Sequence, residues 1–208
     1  RASTGDNQPR EWDFHVEDFM PERMALNLTP QNAPVSPAAD VSFAVSGAYL
    51  YGAPASGNSL QGKLFLRPLR DAVPALPGFQ FGDIAEENLS RSLDEVQTTL
   101  DDQGHAEVTA ASQWQESRSP LQVILQASLL ESGGRPVTRT VRQPIWPAET
   151  LPGIRPEFAL KEVYDYRTDS TIKQPVVDEN SNATFEIVYA DAKGEKKAVS
   201  GLQVRLIR

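Results

Sequence analysis

Apolar side chains return at every second residue through much of this chain, and that spacing restricts it to extended strands. Val41-Ser-Phe-Ala-Val45 alternates, and so does Leu60-Gln-Gly-Lys-Leu-Phe-Leu66, where Leu60, Leu64 and Leu66 share one face. Leu121-Gln-Val-Ile-Leu-Gln-Ala-Ser-Leu129 continues the pattern. A period of two puts apolar side chains on one face of a sheet and polar ones in water. The separators are turn formers. Asp101-Asp-Gln-Gly104 precedes Ala106-Glu-Val108, and Glu131-Ser-Gly-Gly134 lies between Leu129 and Val137. The latter predicts a hairpin, because glycine supplies the positive φ of a tight turn. Many short strands between turns predict an all-β protein made of antiparallel sandwiches.

The alternation also divides the chain. Residues 1–10 are polar and aperiodic, a linker or loose terminus. Residues 11–146 hold the first sandwich. This is longer than the ~100 residues such a fold needs, and the surplus falls in 70–97, which begins with Pro74, Pro77 and Gly78. That segment is expected to be an insertion on the sandwich surface, packed through Phe79, Phe81 and Ile84. Asp83–Leu89 could supply one or two helical turns capped by Asp83. Pro144, Pro147, Pro152 and Pro156 then crowd the sequence, so 147–157 is expected to be a stiff linker. Trp146 would wedge the two units. Residues 158–208 begin a second sandwich, with Ala183–Tyr189 and Leu202–Leu206 alternating around an Asp191–Gly194 turn. This unit is short for a sandwich and is expected to be truncated, its open edge at Leu202–Arg208 awaiting further strands. Arg1 in place of Met likewise suggests an excised or processed piece.

Composition narrows the function. The net charge is −8, and the one tight basic pair is Lys196-Lys197, which argues against nucleic acid as a partner. No apolar run nears the ~18–20 residues of a membrane span, so this segment is not expected to insert in a membrane. There is no cysteine, hence no disulfide, thiolate metal site or cysteine nucleophile.

Individual residues offer little chemistry. His15 and His105 sit in separate strands, and zinc needs three or four convergent ligands. Ser170-Thr-Ile-Lys173 has the Ser-x-x-Lys spacing of penicillin-recognising enzymes but lacks their companion motifs. Asp101-Asp102 and Asp178-Glu-Asn180 lack the alternate spacing of a calcium loop and suit turns. Asn27-Leu-Thr29, Asn88-Leu-Ser90 and Asn182-Ala-Thr184 fit the short glycosylation pattern, which carries weight only in a secreted eukaryotic chain and none in a bacterial one. Trp12, Trp114 and Trp146 could stack on sugar but suit a core better. No catalytic residue, cofactor or metal is therefore assigned, and the chain is not expected to be an enzyme.

Four segments carry a resemblance. Val16-Glu-Asp-Phe-Met-Pro-Glu-Arg23, followed by Tyr49-Leu-Tyr-Gly-Ala-Pro54, resembles the opening strands of a macroglobulin-like domain of the bacterial alpha-2-macroglobulin family. Gly153-Ile-Arg-Pro156 and Gly201-Leu-Gln-Val-Arg-Leu206 look like that family's next domain. Arg23, Gly52, Pro54 and Arg155 are the positions that match best, and none is a catalytic or ligand position in the family. The resemblance implies two macroglobulin-like sandwiches in tandem, serving as scaffold in a broad-range protease inhibitor. Such inhibitors trap a protease after it cuts a bait region, and an internal thioester then attacks it. Bait and thioester would lie outside this chain. The resemblance further implies a periplasmic parent, lipid-anchored to the inner membrane. Its partners would be the neighbouring macroglobulin domains, target proteases and a peptidoglycan synthase. An array of immunoglobulin-like modules for adhesion or cell-wall binding is the alternative.

Overall fold

The computed structural model describes residues 21–83, 85–131, 133–201 and 203–204. Among them are twelve strands and no helix. The first module pairs a three-stranded sheet with a four-stranded one. The first sheet holds β1 (Met24–Thr29), β2 (Val41–Tyr49) and β6 (His105–Ala110), in the order β1-β2-β6. The second holds β3 (Ser59–Pro68), β5 (Arg91–Thr99), β7 (Leu121–Leu130) and β8 (Val137–Ile145), in the order β5-β3-β7-β8. Every pairing is antiparallel.

The alternating runs build this core as expected. Val41, Phe43 and Val45 of β2 point inward, and Leu60, Leu64 and Leu66 of β3 meet them. Leu121, Val123, Leu125, Ala127 and Leu129 of β7 complete the other wall. Full burial of each larger side chain contributes roughly 1.5–3 kcal/mol. β7 and β8 form the expected hairpin, with Leu129 opposite Val137, although Ser132 in its turn lies outside the described residues. Tyr49–Ala55 folds back on β2. The Tyr49 N–H donates to the Ala53 carbonyl (2.8 Å) and the Ala55 N–H to the Gly47 carbonyl (3.0 Å). The Leu50 N–H donates to the Arg23 carbonyl (2.9 Å), so two parts of the sequence that suggested the family lie side by side.

Three expectations need correction. Residues Leu151–Pro156 are not a linker but a strand, β9. It forms a second three-stranded sheet with β12 (Phe185–Ala190) and with β4 (Gln80–Phe81), in the order β12-β9-β4. β4 lies inside the 70–97 segment, so that segment does not lie on the first sandwich through Phe79 and Phe81. It crosses over and joins the second sheet, because those rings find an apolar face there (Ile84 is outside the described residues). Among the described residues of Asp83–Leu89 there is no helix: the Asp83 carboxylate accepts from the Ala85 N–H (2.9 Å), and Asn88 then takes a φ of 62°. Beyond β9 a two-stranded hairpin, β10 (Ala159–Asp165) with β11 (Ser170–Val176), stands largely in solvent. Of the strand expected at Leu202–Leu206, only Gln203 and Val204 are described, and neither joins a sheet.

β9 keeps two prolines in a paired strand because of the direction of its amides. The Glu157 N–H donates to the Thr184 carbonyl (2.9 Å), towards β12. Amides alternate along a strand, so the positions of Pro152, Ile154 and Pro156 turn to the opposite edge. There β4 spans two residues only, facing Gly153 and Ile154. The missing proline donors thus fall where no partner strand runs.

Two turns carry the clearest electrostatic signature. Asp101 accepts hydrogen bonds from the Gln103 and His105 amides (2.9 and 2.8 Å), and Asp191 accepts from Lys193 and Glu195 (both 2.9 Å). The amides hold both carboxyls below the usual aspartate value of 3.8, the largest cause being the His105 amide for Asp101 and the Glu195 amide for Asp191. A lowered folded-state pKa gives stability that is fully present above the unfolded value and lost as pH falls through the folded one. Asp101→Ala is therefore expected to melt below the parent chain at neutral pH, with the gap shrinking towards about pH 2. Thermal melts across that range check this, and a gap that widens on acidification contradicts it.

Candidate functional site: the seam between the two modules

The segment that joins the modules is built from two proline turns. The Leu76 N–H donates to the Val73 carbonyl (2.9 Å) around Pro74, and the Phe79 N–H to the Leu76 carbonyl (3.3 Å) around Pro77. Proline at the second position of each turn presets φ, and Gly78 in the third position of the second turn takes the positive φ (78°) of a type II turn. The turns aim Val73, Leu76 and Phe79 at one side, and β4 adds Phe81. Together with Trp146, Leu151, Val188 and Ala190 they form a buried cluster separate from the first core. Phe81 lies 5.6 Å from Trp146, ring centre to ring centre, in a tilted contact. Trp146 thus stands at the wedge position its sequence context suggested.

Gly153 and Arg155 of β9 complete the seam. Phe81 pairs with Gly153, and a Cβ there would lie 2.6 Å from the Phe81 ring, so only glycine lets the ring settle on the strand. Two residues along, the Arg155 guanidinium sits 4.6 Å from the centre of the Phe79 ring, a cation–π distance. It also donates to the Pro77 carbonyl (3.3 Å) and pairs with Glu186 of β12. At the rim Lys197 pairs with Glu149 (3.0 Å), whose hydrogen bond is the main cause holding the ammonium pKa above its ordinary value.

The residues weighed for chemistry do not converge. Among the described residues no group of three His, Asp or Glu side chains is placed to hold a metal. His105 is exposed at the start of β6, and His15 lies outside the described residues. Ser170 and Lys173 sit on β11, three apart, and so face opposite sides of the strand. The Ser170 hydroxyl meets Thr168 (2.8 Å). Asp102 is an exposed turn residue; Asp178 pairs with Lys161, and Asn180 has a φ of 62°. Asn27 lies on β1 opposite Ser46, and Asn88 and Asn182 are exposed outside the strands. Trp114 is buried in the first core and Trp146 in the second cluster, so they form no common platform; Trp12 is outside the described residues. Sequence reasoning missed β4 and β9. Their signal was present in Phe79-Gln-Phe81 and in Leu151, Gly153 and Arg155, each alternating, but prolines and shortness masked it.

Residues 22–147 match the family described as the bacterial alpha-2-macroglobulin MG5 domain. The chain belongs to the bacterial alpha-2-macroglobulin family. It is 74% identical over all 208 residues to the alpha-2-macroglobulin of Escherichia coli K12, of which it spans 13%. Identity to that of Xylella fastidiosa (strain Temecula1) is 31% over 194 residues, covering 93% of this chain and 11% of the relative. Among solved structures, trypsin-activated alpha-2-macroglobulin from E. coli superposes with a TM-score of 0.83 at 74% identity, over 99% of this chain and 14% of that one. Salmonella alpha-2-macroglobulin reacted with methylamine gives 0.82 at 78% identity, over 95% of this chain and 13% of that one. The chain therefore spans about one eighth of these macroglobulins. Of its four best family-matching positions, Arg23, Gly52 and Pro54 shape the loop that closes β2, and Arg155 holds the seam.

A larger side chain under Phe81 should break the seam before the first core. Gly153→Val is expected to cost roughly 1–3 kcal/mol by overpacking, and Phe81→Leu should recover part of that loss in the double variant because the two sites touch. Urea denaturation of the four-member cycle checks this. Strict additivity of the two changes contradicts the contact.

Proposed function

We propose that this chain is scaffold in a protease-trapping macroglobulin and performs no catalysis itself. The observation that carries this reading is the contrast between the built seam and the scattered polar side chains. Apolar burial, a glycine contact and an arginine clamp converge between the modules, while no group of three His, Asp or Glu side chains converges among the described residues. E. coli relatives have been solved after activation by trypsin and by porcine elastase, which supports proteases as targets of the whole protein. The thioester lies elsewhere in the parent, since this chain has no cysteine.

The second module is the start of a further macroglobulin-like sandwich. Pro152, Ile154 and Pro156 of β9 and Phe185, Ile187 and Tyr189 of β12 lie on the outer face of its sheet, opposite the buried cluster. A sheet apolar on both faces needs a layer on each, and neighbouring macroglobulin strands of the parent would supply the second. We place the parent in the periplasm, lipid-anchored to the inner membrane, with a peptidoglycan synthase as a partner.

Protease protection distinguishes scaffold from inhibitor. The parent protein is expected to suppress trypsin cleavage of a large protein substrate while sparing a small chromogenic one, because the trapped enzyme stays active. This chain alone is expected to suppress neither. Selective loss of large-substrate cleavage with the isolated chain overturns the proposal.

A further inference from the structure

We infer that Val73–Phe81 is a strap lent by the first module, that the second sheet folds only with this strap seated, and that Arg155 is the clip that holds it. The membership of the second core carries the inference. Among the described residues, four of the eight buried in it, Val73, Leu76, Phe79 and Phe81, come from the strap, and Trp146 comes from the end of the first module. β9 and β12 themselves contribute Leu151, Val188 and Ala190. Without the strap, β9 and β12 would be a two-stranded ladder over those three side chains. A lone two-stranded ladder is marginal in water, and stability needs a third strand or a packed face. The strap supplies both, as β4 and as the apolar cover.

Both ends of the strap are fastened to the first sandwich. Ahead of it, the Leu69 N–H donates to the Pro120 carbonyl (2.9 Å). Behind it, the buried Ser119 hydroxyl accepts from the Asp83 N–H (2.8 Å) and donates to the Asp83 carbonyl (3.2 Å), while Arg118 pairs with the Asp83 carboxylate (3.1 Å). Loosening the strap's middle therefore leaves its ends in place. Arg155 reaches all three parties at the middle: the Phe79 ring and the Pro77 carbonyl on the strap, and Glu186 on β12. It acts through these contacts as a positioning residue. The arrangement is a conformational device. With the strap clipped, the modules move as one body; with it released, the second sheet loosens while the first sandwich stays folded.

Amide hydrogen exchange on the whole chain tests this, because β12 pairs with β9 and not with the strap. Phe81→Ala is expected to speed exchange at the Val188 and Ala190 amides, which face β9, by at least about tenfold while β3 and β7 keep their protection. Arg155→Ala is expected to speed exchange in both Phe79–Phe81 and β12. Arg155→Lys should fall between, since lysine keeps the charge without the planar fork. Faster exchange confined to the strap, with β12 unchanged, overturns the inference. Should Phe81→Ala unfold the entire chain, Phe81→Leu is read by the same pattern with the same two outcomes.

Discussion

The bare Cα of Gly153 under the Phe81 ring sets how closely the two modules approach. With a side chain there, Phe81 could not lie on β9, β4 would lose its place beside the strand, and Phe79 would leave the Arg155 guanidinium. Trp146 would lose its aromatic neighbour in turn. Each of these contacts is modest alone. They share one geometry, so they are made or lost together.

The modules differ in how they earn their stability. The first has two complete sheets whose inner faces come from long alternating strands, and its core is closed by residues from β1 to β8. The second has short strands, a projecting hairpin with little burial, and a core borrowed in large part from the first. This asymmetry suits the scaffold role proposed for the chain. The second sheet has one face covered by the strap, while its other face leaves Ile154 and Phe185 exposed among the described residues.

The sequence shows the first module clearly. Val41, Phe43 and Val45, and the run from Leu121 to Leu129, alternate for long enough to be read unaided, and the Gly-rich and Asp-rich turns stand where expected. The seam was not legible. β4 is two residues long, too short for any period to register. In β9, Pro152 and Pro156 argue for a linker, and only the direction of the amides, a tertiary fact, makes them harmless. Phe79 and Phe81 read correctly as anchors of the 70–97 segment, but the chain offers no local clue to which apolar face they cover. Arg155 stood out only by its resemblance to the family, and its role needs Phe79, Pro77 and Glu186 to be brought together from three parts of the chain. Among the described residues, His105, Ser170 and Asp178 do not converge, since all sit in turns or exposed strands.

On this proposal the strap makes one rigid body of the two modules. The chain contains no cysteine, so two can be introduced for spin labels without background. One replaces Glu107, exposed on β6 of the first sandwich, and the other Lys193, exposed in the turn after β12. Pulsed dipolar spectroscopy of the labelled chain then reads the distance across the seam. A single narrow distance distribution is the predicted result. A broad or multimodal distribution, with both modules still folded, would contradict it.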